Sequence, residues 1–597
     1  MIVKTALILL IGLINLAISQ KIPSGDGKSI LEYRVSDNNG LWIEVSHGNE
    51  VKLRAQIGNG FNILASTCSL FQVFQIRWAN DGKNDLVFND CFNLDREEVS
   101  WYGGPETWTT EWPIEKLSFN NRPYISSRLH NGAVVEPYWL NSKGGFILVD
   151  DNVPLFVDQN NEQDDRVCFK AANAFPFTKP TIILSYTLAV KANAKDAHIY
   201  AVNKLLGKPS DLPDERMVRE PIWTTWGKYK ADVDDPTVLD YLHGIIAHNF
   251  TKGQIEIDDK WEECYGDQTF ETSNSMDPSI RKYRCSVPVT EGFVNDYFVN
   301  STTGNATTFW WNGNSSYVID FTKPSAAEWF KRRLNKIQED YKIDGFKCDA
   351  GESDWLPMNH TFHGKYDDTP RAFTRLYMNA CNQLGKLVEV RSTWRTQELT
   401  VFVRMLDKDS VWGNRNGLRS LVHSLLQFNM IGYPYVLPDL VGGNGYNNTL
   451  PSPELLVRWT QANTFMPSIQ FSFLPWELDD EGFDTTEIVR KFVDLHEKYS
   501  ADIIDAMRQS VEAGIPTNPP IWWIDPTDPV ALSVEDEFLL GEKILVAPIL
   551  EEGALSRDVY LPNGRWQDGN TGAIIEGRRT LKDYPAPIDV LPYFIRL

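Results

Sequence analysis

Acidic side chains follow several short apolar runs in the middle of the chain, where buried strands would end. They are Asp258 and Asp259 after residues 254–257, Asp349 after 345–348, Asp407 after 400–406, and Asp439 after 432–438. Cleavage of a glycosidic bond needs two carboxyl groups in opposite protonation states, one ionised beside the anomeric carbon and one protonated at the leaving oxygen. Each aspartate alone is explained equally well as the N-cap of a following helix. Their repetition at successive strand ends instead predicts a hydrolytic site.

These carboxylates need a scaffold that brings strand ends together. Apolar runs at residues 253–258, 343–349 and 387–391 alternate with segments of helical periodicity at 326–341, 371–384 and 487–499. Such alternation predicts a (β/α)8 barrel, whose functional residues gather at the carboxyl ends of the parallel strands. We predict that this barrel occupies residues 211–510.

Both flanks of the barrel have a β pattern. Alternating apolar segments such as 181–187, separated by Gly, Asn, Asp and Pro turns, predict an N-terminal β-sandwich over residues 20–210. Segments such as 543–548 predict a smaller C-terminal β-sandwich over residues 511–597. The predicted fold class is therefore α/β, a TIM barrel between two β-sandwiches.

The composition of the 597-residue chain excludes several functional classes. There are 58 Lys and Arg against 80 Asp and Glu, and the net charge of −22 repels nucleic-acid phosphates and anionic lipid headgroups. Hydrophobic residues make up 42% of the chain and 20 residues are Trp, so the chain can build real cores. We expect a folded globular protein with no nucleic-acid partner.

The first 19 residues have the pattern of a secretory signal peptide. One charge at Lys4 precedes an apolar run over residues 6–18, and Ala17 and Ser19 form a small-x-small cleavage pattern. An uncleaved signal anchor is the alternative, although the run is shorter than the roughly 20 residues of a spanning helix. No later stretch is apolar enough to span. We predict secretion after cleavage, with the lysosome or the endoplasmic reticulum lumen as alternatives.

Sequons and cysteines agree with this route. Six Asn-x-Ser/Thr sequons begin at Asn249, Asn300, Asn305, Asn314, Asn359 and Asn447. The cysteines number seven, and we predict disulfides between Cys68 and Cys91 and between Cys264 and Cys285, because each closes a short polar loop. No Cys and His cluster has metal-ligand spacing, so we expect neither a metal nor a cofactor. The sequence leaves the oligomeric state open.

Several motifs resemble, in their order, those of glycoside hydrolase family 31. The string Asp344-Gly-Phe-Lys-Cys-Asp-Ala-Gly-Glu352 resembles the family's nucleophile signature, and Asp407 with Trp412 five residues later resembles its acid/base segment. Pro438-Asp-Leu-Val-Gly-Gly443 resembles its Asp-x-Gly-Gly turn. The likeness extends into the C-terminal β region and implies a retaining exo-α-glycosidase that acts on a carbohydrate substrate.

The resemblance implies roles for two of the carboxylates. Asp349 would be the nucleophile that forms a covalent glycosyl ester, and Asp407 the general acid and then base, with Asp409 as the alternative. We expect Asp407 to need a raised pKa, from burial and from the charge of Asp349. In a retaining enzyme the two carboxyl groups lie roughly 5 to 5.5 Å apart across a pocket.

Two basic residues accompany the predicted nucleophile. Lys347 lies two residues before Asp349, hence on the same face of the strand, and would bind a sugar hydroxyl or, alternatively, pair with Glu352. Arg391 resembles the family's Arg-Ser pair. It would hold a hydroxyl and a carboxylate together or, alternatively, form a buried ion pair.

The resemblance also implies sugar-binding positions. Asp258, with its neighbour Asp259, would bind hydroxyls of the terminal sugar, and Asp439 would support the pocket wall. Sugar C–H faces pack on aromatic rings, and most tryptophans in such a chain belong to the core. The candidate platforms, of which we expect fewer than half to touch ligand, are Trp261, Trp310, Trp311, Trp394 and Trp412.

The identity of the sugar depends on one departure from the family pattern. Many members carry Arg-x-His after a Pro near the last barrel strand, where this chain has Pro467-Ser-Ile-Gln-Phe-Ser472. The missing histidine argues against α-glucosidase activity, and Trp101-Tyr-Gly-Gly-Pro-Glu106 resembles an α-galactosidase-like branch. We predict hydrolysis of terminal α-linked galactose. The alternatives are an α-glucosidase, an α-xylosidase, and a non-catalytic protein that binds glycans or partners.

Overall fold

The computed structural model describes most of the chain. The described residues are 20–24, 27–35, 41–57, 69–70, 73–79, 87–161, 164–179, 181–251, 253–262, 264–268, 287–311, 313–366, 369–480 and 482–597. The predicted signal peptide, Cys68 and Cys285 lie outside these residues. Within the described ranges, no helix combines the length and apolar character needed to cross a membrane.

The N-terminal part is a β-sandwich of two antiparallel sheets. The strands of the larger sheet, in spatial order, are Gln20–Pro23, Ser29–Val35, Leu41–His47, Glu50–Ile57, Phe88–Asn93, Arg166–Ala171, Leu155–Gln159 and Phe119–Pro123. Those of the smaller sheet are Ser69–Leu70, Val73–Ala79, Ile183–Val190, Gly145–Val149, Val135–Asn141 and Trp101–Pro105. The two-residue period of a strand explains the burial of Leu41, Ile43 and Val45 in one of these strands.

One predicted disulfide is wrong. Cys91 is bonded to Cys168 rather than to Cys68, because neighbouring antiparallel strands place Cys91 and Cys168 directly opposite each other. Cys264 is also disulfide-bonded, and its predicted partner lies outside the described residues. Cys348 and Cys381 are buried free thiols.

Seven short parallel strands in the described part of the chain form two arcs of a barrel. One arc contains, in order, Gln254–Glu256, Ile222–Thr224 and Gln470–Phe471, and the other Phe346–Cys348, Val388–Val390, Phe402–Arg404 and Val436–Leu437. A parallel bridge between Leu440 and Gln470 joins the arcs. Helices cover the outer face of such a barrel, which explains why the strands are rich in Val, Ile and Phe.

The barrel helices alternate with these strands, and three of them begin after a residue whose side chain caps the helix. Their bounds are Asp235–Ala247, Pro324–Tyr341, Arg371–Asn382, Leu418–Met430, Pro453–Asn463 and Thr485–Ala513. Asp234, Ser452 and Asp484 each accept a hydrogen bond from a backbone N–H in the first turn of the helix that follows. The last helix has 29 residues and ends at Gly514, whose φ is 71°. Residue 510, where the barrel is predicted to end, therefore lies inside this helix.

Shorter elements connect the strands and helices. Short helical segments are Ile114–Lys116, Ala194–Ala201, Val202–Leu206, Arg216–Arg219, Trp226–Tyr229, Ser353–Trp355, Tyr446–Asn448, Pro475–Glu477, Ile521–Trp523 and Ala531–Ser533. Two small antiparallel pairs stand above the barrel, Asn300–Ser301 with His360–Thr361 and Thr308–Trp310 with Gly313–Ser316.

The C-terminal part is a smaller β-sandwich. One sheet contains, in order, Phe538–Leu540, Ile544–Val546, Tyr593–Arg596, Arg565–Asp568 and Ile574–Glu576. The other pairs Ser556–Leu561 with Arg579–Pro585. The predicted architecture, a TIM barrel between two β-sandwiches, is confirmed.

Candidate active site

A cavity of about 1310 Å³ opens at the carboxyl ends of the barrel strands. All five aspartates singled out from the sequence line it, namely Asp258, Asp259, Asp349, Asp407 and Asp439. They come from four separate strands, so the fold gathers residues that are up to 181 positions apart in the sequence.

Asp349 and Asp407 face the same two guanidinium groups. Arg391 Nη1 lies 3.1 Å from Oδ1 of each aspartate. Arg404 Nη2 lies 3.0 Å from Asp349 Oδ1, and its Nη1 lies 2.9 Å from Asp407 Oδ1. The two carboxylate oxygens are therefore separated by no more than two hydrogen-bond lengths.

The chain turns sharply just after Asp349. Ala350 has a φ of 60° and Gly351 a φ of 97°, both in the left-handed region. A Cβ atom at Gly351 would lie 2.2 Å from Oγ of Ser392, so only glycine fits at this position. The turn lets the Asp349 side chain, which is 42% exposed, project into the cavity at the end of the strand Phe346–Cys348.

The electrostatic surroundings favour the ionised form of Asp349. Burial alone would raise the pKa of this carboxyl group, but the guanidinium groups of Arg391 and Arg404 lower it below its usual value. An ionised carboxylate is the form that a nucleophile requires.

Asp407 is also ionised, which differs from the sequence-based expectation. Burial would raise its pKa, but Arg391 and Arg404 hold it well below the usual range. The expected raised pKa is therefore wrong, because two positive charges outweigh burial and the charge of Asp349. Tyr446 OH donates a hydrogen bond to Asp407 Oδ2 over 2.9 Å. Proton donation by Asp407 requires these contacts to weaken when a substrate enters.

Asp409, the alternative acid/base residue, lies away from the cavity. It is half-buried in the loop, where its backbone N–H donates to the Asn416 carbonyl oxygen over 2.9 Å. Asp407 lines the cavity and Asp409 does not, so the geometry favours Asp407.

Lys347 pairs with carboxylates of the strand Gln254–Glu256, which belongs to the other arc, and of the loop that follows that strand. Its Nζ lies 2.5 Å from Asp258 Oδ2 and 3.1 Å from Glu256 Oε1. Burial would lower the pKa of this ammonium group, but Asp258 and Glu256 raise it well above its usual value. The charged Lys347 thereby fixes the Asp258 side chain at the cavity wall.

The alternative partner predicted for Lys347 is wrong. Glu352 accepts a hydrogen bond from Arg391 Nε over 2.8 Å and one from Trp355 Nε1 over 2.9 Å. Because Glu352 is fully buried, this pair fixes the plane of the Arg391 guanidinium. Arg391 thus forms the buried ion pair that was one of its two predicted roles. It also contacts both cavity aspartates, Asp349 and Asp407.

Arg404 and Glu389 are site residues that the sequence analysis missed. Arg404 Nη1 lies 3.0 Å from Asp439 Oδ1, in addition to its contacts with Asp349 and Asp407. Its Nε lies 3.2 Å from Glu389 Oε1. The available signal was a charged residue inside an otherwise apolar strand, since Val388–Val390 and Phe402–Arg404 each contain one.

Asp439 braces the wall of the cavity. Its backbone φ is 64°, and its Oδ2 accepts hydrogen bonds from Lys408 N and Asn444 Nδ2, both over 2.6 Å. With Arg404 on Oδ1, both carboxylate oxygens have partners in the protein, which suits the predicted supporting position.

The five candidate tryptophans divide into two groups. Trp261, Trp310 and Trp311 line the cavity. Trp394 is fully buried beneath the guanidinium of Arg371, which lies 4.4 Å from the ring centroid. Trp412 is half-buried against the core and outside the cavity lining. Substrate contact by Trp394 and Trp412 is therefore not supported, because Trp394 is enclosed in the core and Trp412 does not line the cavity.

Comparison with known proteins adds an independent line of evidence. Residues 240–499 match the glycosyl hydrolases family 31 TIM-barrel domain, and residues 514–597 match the glycosyl hydrolase family 31 C-terminal domain. Myogenesis-regulating glycosidase of Mus musculus is 33% identical over 561 residues, which cover 87% of this chain and 78% of the mouse protein. The chain belongs to glycoside hydrolase family 31. The resemblance seen in the motifs is thus confirmed.

Solved structures of family 31 enzymes have the same fold. The cycloalternan-forming enzyme from Listeria monocytogenes superposes with a TM-score of 0.72 at 16% identity over 98% of this chain, which spans 64% of that enzyme's length. A Flavobacterium johnsoniae family 31 dextranase, solved with isomaltotriose, superposes with a TM-score of 0.70 at 17% identity over 95% of this chain and 78% of the dextranase. At these identities the likeness concerns the fold.

Proposed function

We propose that this family 31 protein is a retaining exo-α-glycosidase that hydrolyses terminal α-linked galactose. The observation that carries the proposal is the arrangement of Asp349 and Asp407 around Arg391, with one oxygen of each carboxylate 3.1 Å from the same Nη1. Inverting glycosidases hold their carboxyl groups roughly 6.5 to 9.5 Å apart to admit a water molecule, whereas retaining ones hold them closer. The shared guanidinium supports the retaining arrangement.

In the first step, Asp349 attacks the anomeric carbon. An oxygen of its carboxylate forms a bond to that carbon while the bond to the leaving oxygen breaks, and Asp407 gives its proton to the leaving oxygen. This makes a β-linked glycosyl ester on Asp349. Arg391 and Arg404 remain beside Asp349 and balance the charge that moves during attack.

In the second step, water replaces the aspartate. Asp407, now ionised, accepts a proton from the water as its oxygen bonds to the anomeric carbon and the ester bond to Asp349 breaks. Two inversions give overall retention of the α configuration. The charges of Arg391 and Arg404, which lower the pKa of Asp407, keep it ionised, the form that can accept the proton in this step.

The sugar assignment is supported by the hydroxyl-binding wall of the cavity. Asp258 and Lys347 form a close ion pair there, which offers both acceptors and donors to sugar hydroxyls. Ser472, at the end of the segment that lacks the histidine of other members, is fully buried and accepts a hydrogen bond from Lys228 N over 3.0 Å. The serine therefore provides no substitute for that histidine contact. Galactose and glucose differ only at C4, so a changed polar wall shifts the preference between them.

A second candidate is an α-glucosidase of the same mechanism. It is favoured by the match to a dextranase solved with isomaltotriose, a glucose oligomer. The carboxylate pair is common to both candidates, so only the sugar distinguishes them.

A substrate panel tests the proposal. Purified protein is assayed with 4-nitrophenyl α-galactoside, α-glucoside and α-xyloside, beside Asp349→Asn as the inactive variant. Asp340→Asn is the matched control, because Asp340 lies on the exposed face of the helix Pro324–Tyr341 and pairs with Lys336. We expect the α-galactoside to be hydrolysed fastest and only Asp349→Asn to abolish turnover.

Two outcomes would contradict the proposal in different ways. Faster hydrolysis of the α-glucoside would show that the terminal sugar is glucose rather than galactose, and would leave the proposed mechanism unchanged. Absence of turnover on all three, with glycan binding retained, would favour the non-catalytic alternative.

We also propose that the protein is a secreted glycoprotein. The disulfide between Cys91 and Cys168 is typical of proteins that fold in an oxidising compartment. The sequon residues Asn305, Asn359 and Asn447 are exposed, as glycan attachment requires. Enzymatic removal of N-glycans from protein secreted by eukaryotic cells should lower its mass, and an unchanged mass would contradict the proposal.

A further inference from the structure

Three consecutive backbone carbonyl groups, those of residues 349–351, each accept a hydrogen bond from a side-chain hydroxyl group. These residues, the nucleophile turn, follow the strand Phe346–Cys348, whose pairing with the next strand ends at Cys348 and Val390. The hydrogen bonds, each 2.8 Å long, run from Tyr377 OH to the Asp349 oxygen, from Ser392 Oγ to the Ala350 oxygen and from Thr374 Oγ1 to the Gly351 oxygen. Side chains thus hold the backbone where the strand pairing stops.

The three donors, which we call the hydroxyl cradle, belong to two rigid parts of the barrel. Thr374 and Tyr377 are three residues apart in the helix Arg371–Asn382 and therefore lie on the same face of it. The Tyr377 ring packs against Phe321, with centroids 5.0 Å apart. Ser392 is fully buried and directly follows Arg391. The hydroxyl groups are therefore held in defined positions before any substrate arrives.

The cradle fixes the shape of the nucleophile turn. A peptide group is planar, so a hydrogen bond to its carbonyl oxygen restrains the orientation of the whole plane. Restraint of three successive planes sets the dihedral angles of Ala350 and Gly351, both of which have a positive φ. Together with the preceding strand, these planes set the direction in which the Asp349 side chain leaves the backbone.

The direction of the Asp349 side chain depends strongly on this backbone. The side chain is 42% exposed, so packing does not hold it, and its carboxylate is held by the charges of Arg391 and Arg404. Formation of the glycosyl ester removes the negative charge and weakens both of these contacts. The cradle bonds do not involve the carboxylate and are unaffected by ester formation.

We propose that Thr374, Tyr377 and Ser392 are positioning residues, whose hydroxyl groups aim Asp349 at the anomeric carbon in both steps of the reaction. This inference rests on the proposed glycosidase function. A nucleophile reacts efficiently only when the reacting atoms are held in near-attack geometry, and a misplacement of about 1 Å costs about 100-fold in rate. The cradle therefore acts on turnover and leaves the binding of the sugar unchanged.

The test removes single hydroxyl groups and keeps the shape of the side chain. Tyr377→Phe and Thr374→Val should each lower kcat about 10- to 100-fold, with kcat/KM falling equally, because the interaction serves the transition state. The inhibition constant of the free terminal sugar should stay at the wild-type value. Thr374→Ser keeps the hydroxyl group and should stay within about threefold of the wild-type kcat.

Tyr124→Phe is the matched control. Tyr124 is 1% exposed and its hydroxyl group donates to the Glu136 carbonyl oxygen over 2.7 Å, but the residue does not line the cavity. This variant also loses one buried bond to a backbone carbonyl group, so its urea unfolding midpoint should fall as in Tyr377→Phe. Its kcat should remain at the wild-type value, which separates positioning from loss of stability.

Three results would overturn the inference. They are wild-type kcat in both Tyr377→Phe and Thr374→Val, an equal loss of kcat in Tyr124→Phe, and a loss confined to KM with weaker binding of the free sugar. All rates are measured on whichever aryl α-glycoside the wild-type protein hydrolyses, so an error in the sugar does not affect the comparison. A wild-type protein that hydrolyses no α-glycoside would instead contradict the proposed function, and with it the role of the cradle.

Discussion

Replacement of Glu389 by glutamine should stabilise the protein at neutral and alkaline pH. Glu389 is 2% exposed and lies below the cavity between Lys347 and Arg404. Burial, followed by the charge of Glu256, raises the pKa of its carboxyl group from 4.5 to about 8. At pH 7 the folded protein therefore holds a neutral Glu389, which an amide of nearly the same shape replaces.

The pH dependence of the effect follows from the direction of the shift. Below about pH 4.5 the carboxyl group is protonated in both folded and unfolded states, so the variant and the wild type should be equally stable. Between pH 4.5 and 8 only the folded state keeps the proton, and the free energy of unfolding of the wild type falls by about 1.4 kcal/mol per pH unit. The advantage of Glu389→Gln should reach about 3 kcal/mol at pH 7 and level off above pH 8.

The assay is urea unfolding followed by tryptophan fluorescence, at pH 5 and at pH 8. The expected result is a midpoint difference between Glu389→Gln and wild type that grows with pH. Glu339→Gln, an exposed residue of the helix Pro324–Tyr341, is the matched control and should leave the midpoint unchanged at both pH values. A variant that is less stable than wild type by the same amount at both pH values would refute the reasoning, because it would show that Glu389 is ionised and stabilised by Arg404.

Three further predictions concern the residues around the carboxylate pair. Asp407→Ala should slow the hydrolysis of disaccharides by several orders of magnitude but that of 2,4-dinitrophenyl glycosides far less, since a good leaving group needs no proton; equal losses in kcat/KM would move the acid/base function elsewhere. Arg391→Met removes a charge that lowers the pKa of both Asp349 and Asp407, so the acidic limb of the kcat/KM profile should shift to higher pH, and an unshifted limb would contradict this assignment. Gly351→Ala places a Cβ 2.2 Å from Ser392 Oγ at a φ of 97° and should abolish activity with a loss of about 2 kcal/mol or more in stability, whereas a fully active, stable variant would refute the steric argument.

The carboxylates could be found from the sequence because their positions follow from local pattern. A polar residue at the end of an apolar strand of a barrel points to the face where loops gather, and Asp258, Asp349, Asp407 and Asp439 all satisfy this rule. The motifs that resemble those of the family then assigned a role to each of these aspartates. Neither step requires knowledge of which strands are neighbours.

The contacts between strands could not be found in the same way. Arg404 contacts Asp349, Asp439 and Glu389 from three other strands, and the sequence does not show which inward-facing charges meet in the barrel. The pKa of Asp407 was misjudged for the same reason, since it depends on two arginines whose positions were unknown. The error in the Cys91 disulfide also came from an unknown strand pairing.

The tryptophans show a different limit of prediction from the sequence. Trp310 and Trp311 belong to a hairpin above the barrel, whereas Trp394 is enclosed between Arg371 and Tyr124. The residue type gives no signal that separates these cases, because burial depends on the packing of distant segments. Helix length had a related limit, since the apolar spacing continues beyond residue 499 through Ile503 and Met507 to the end of the helix.

Trapping of the covalent intermediate tests the assignment of the nucleophile most directly. A fluorinated α-galactosyl fluoride, which slows the hydrolysis of the ester, is incubated with the wild-type protein, and the digested peptides are analysed by mass spectrometry. We expect one sugar per chain, attached to Asp349, and no labelling of Asp349→Asn. Labelling of another carboxylate, or turnover of the reagent with inversion at the anomeric carbon and no labelled peptide, would contradict the retaining mechanism proposed for Asp349 and Asp407.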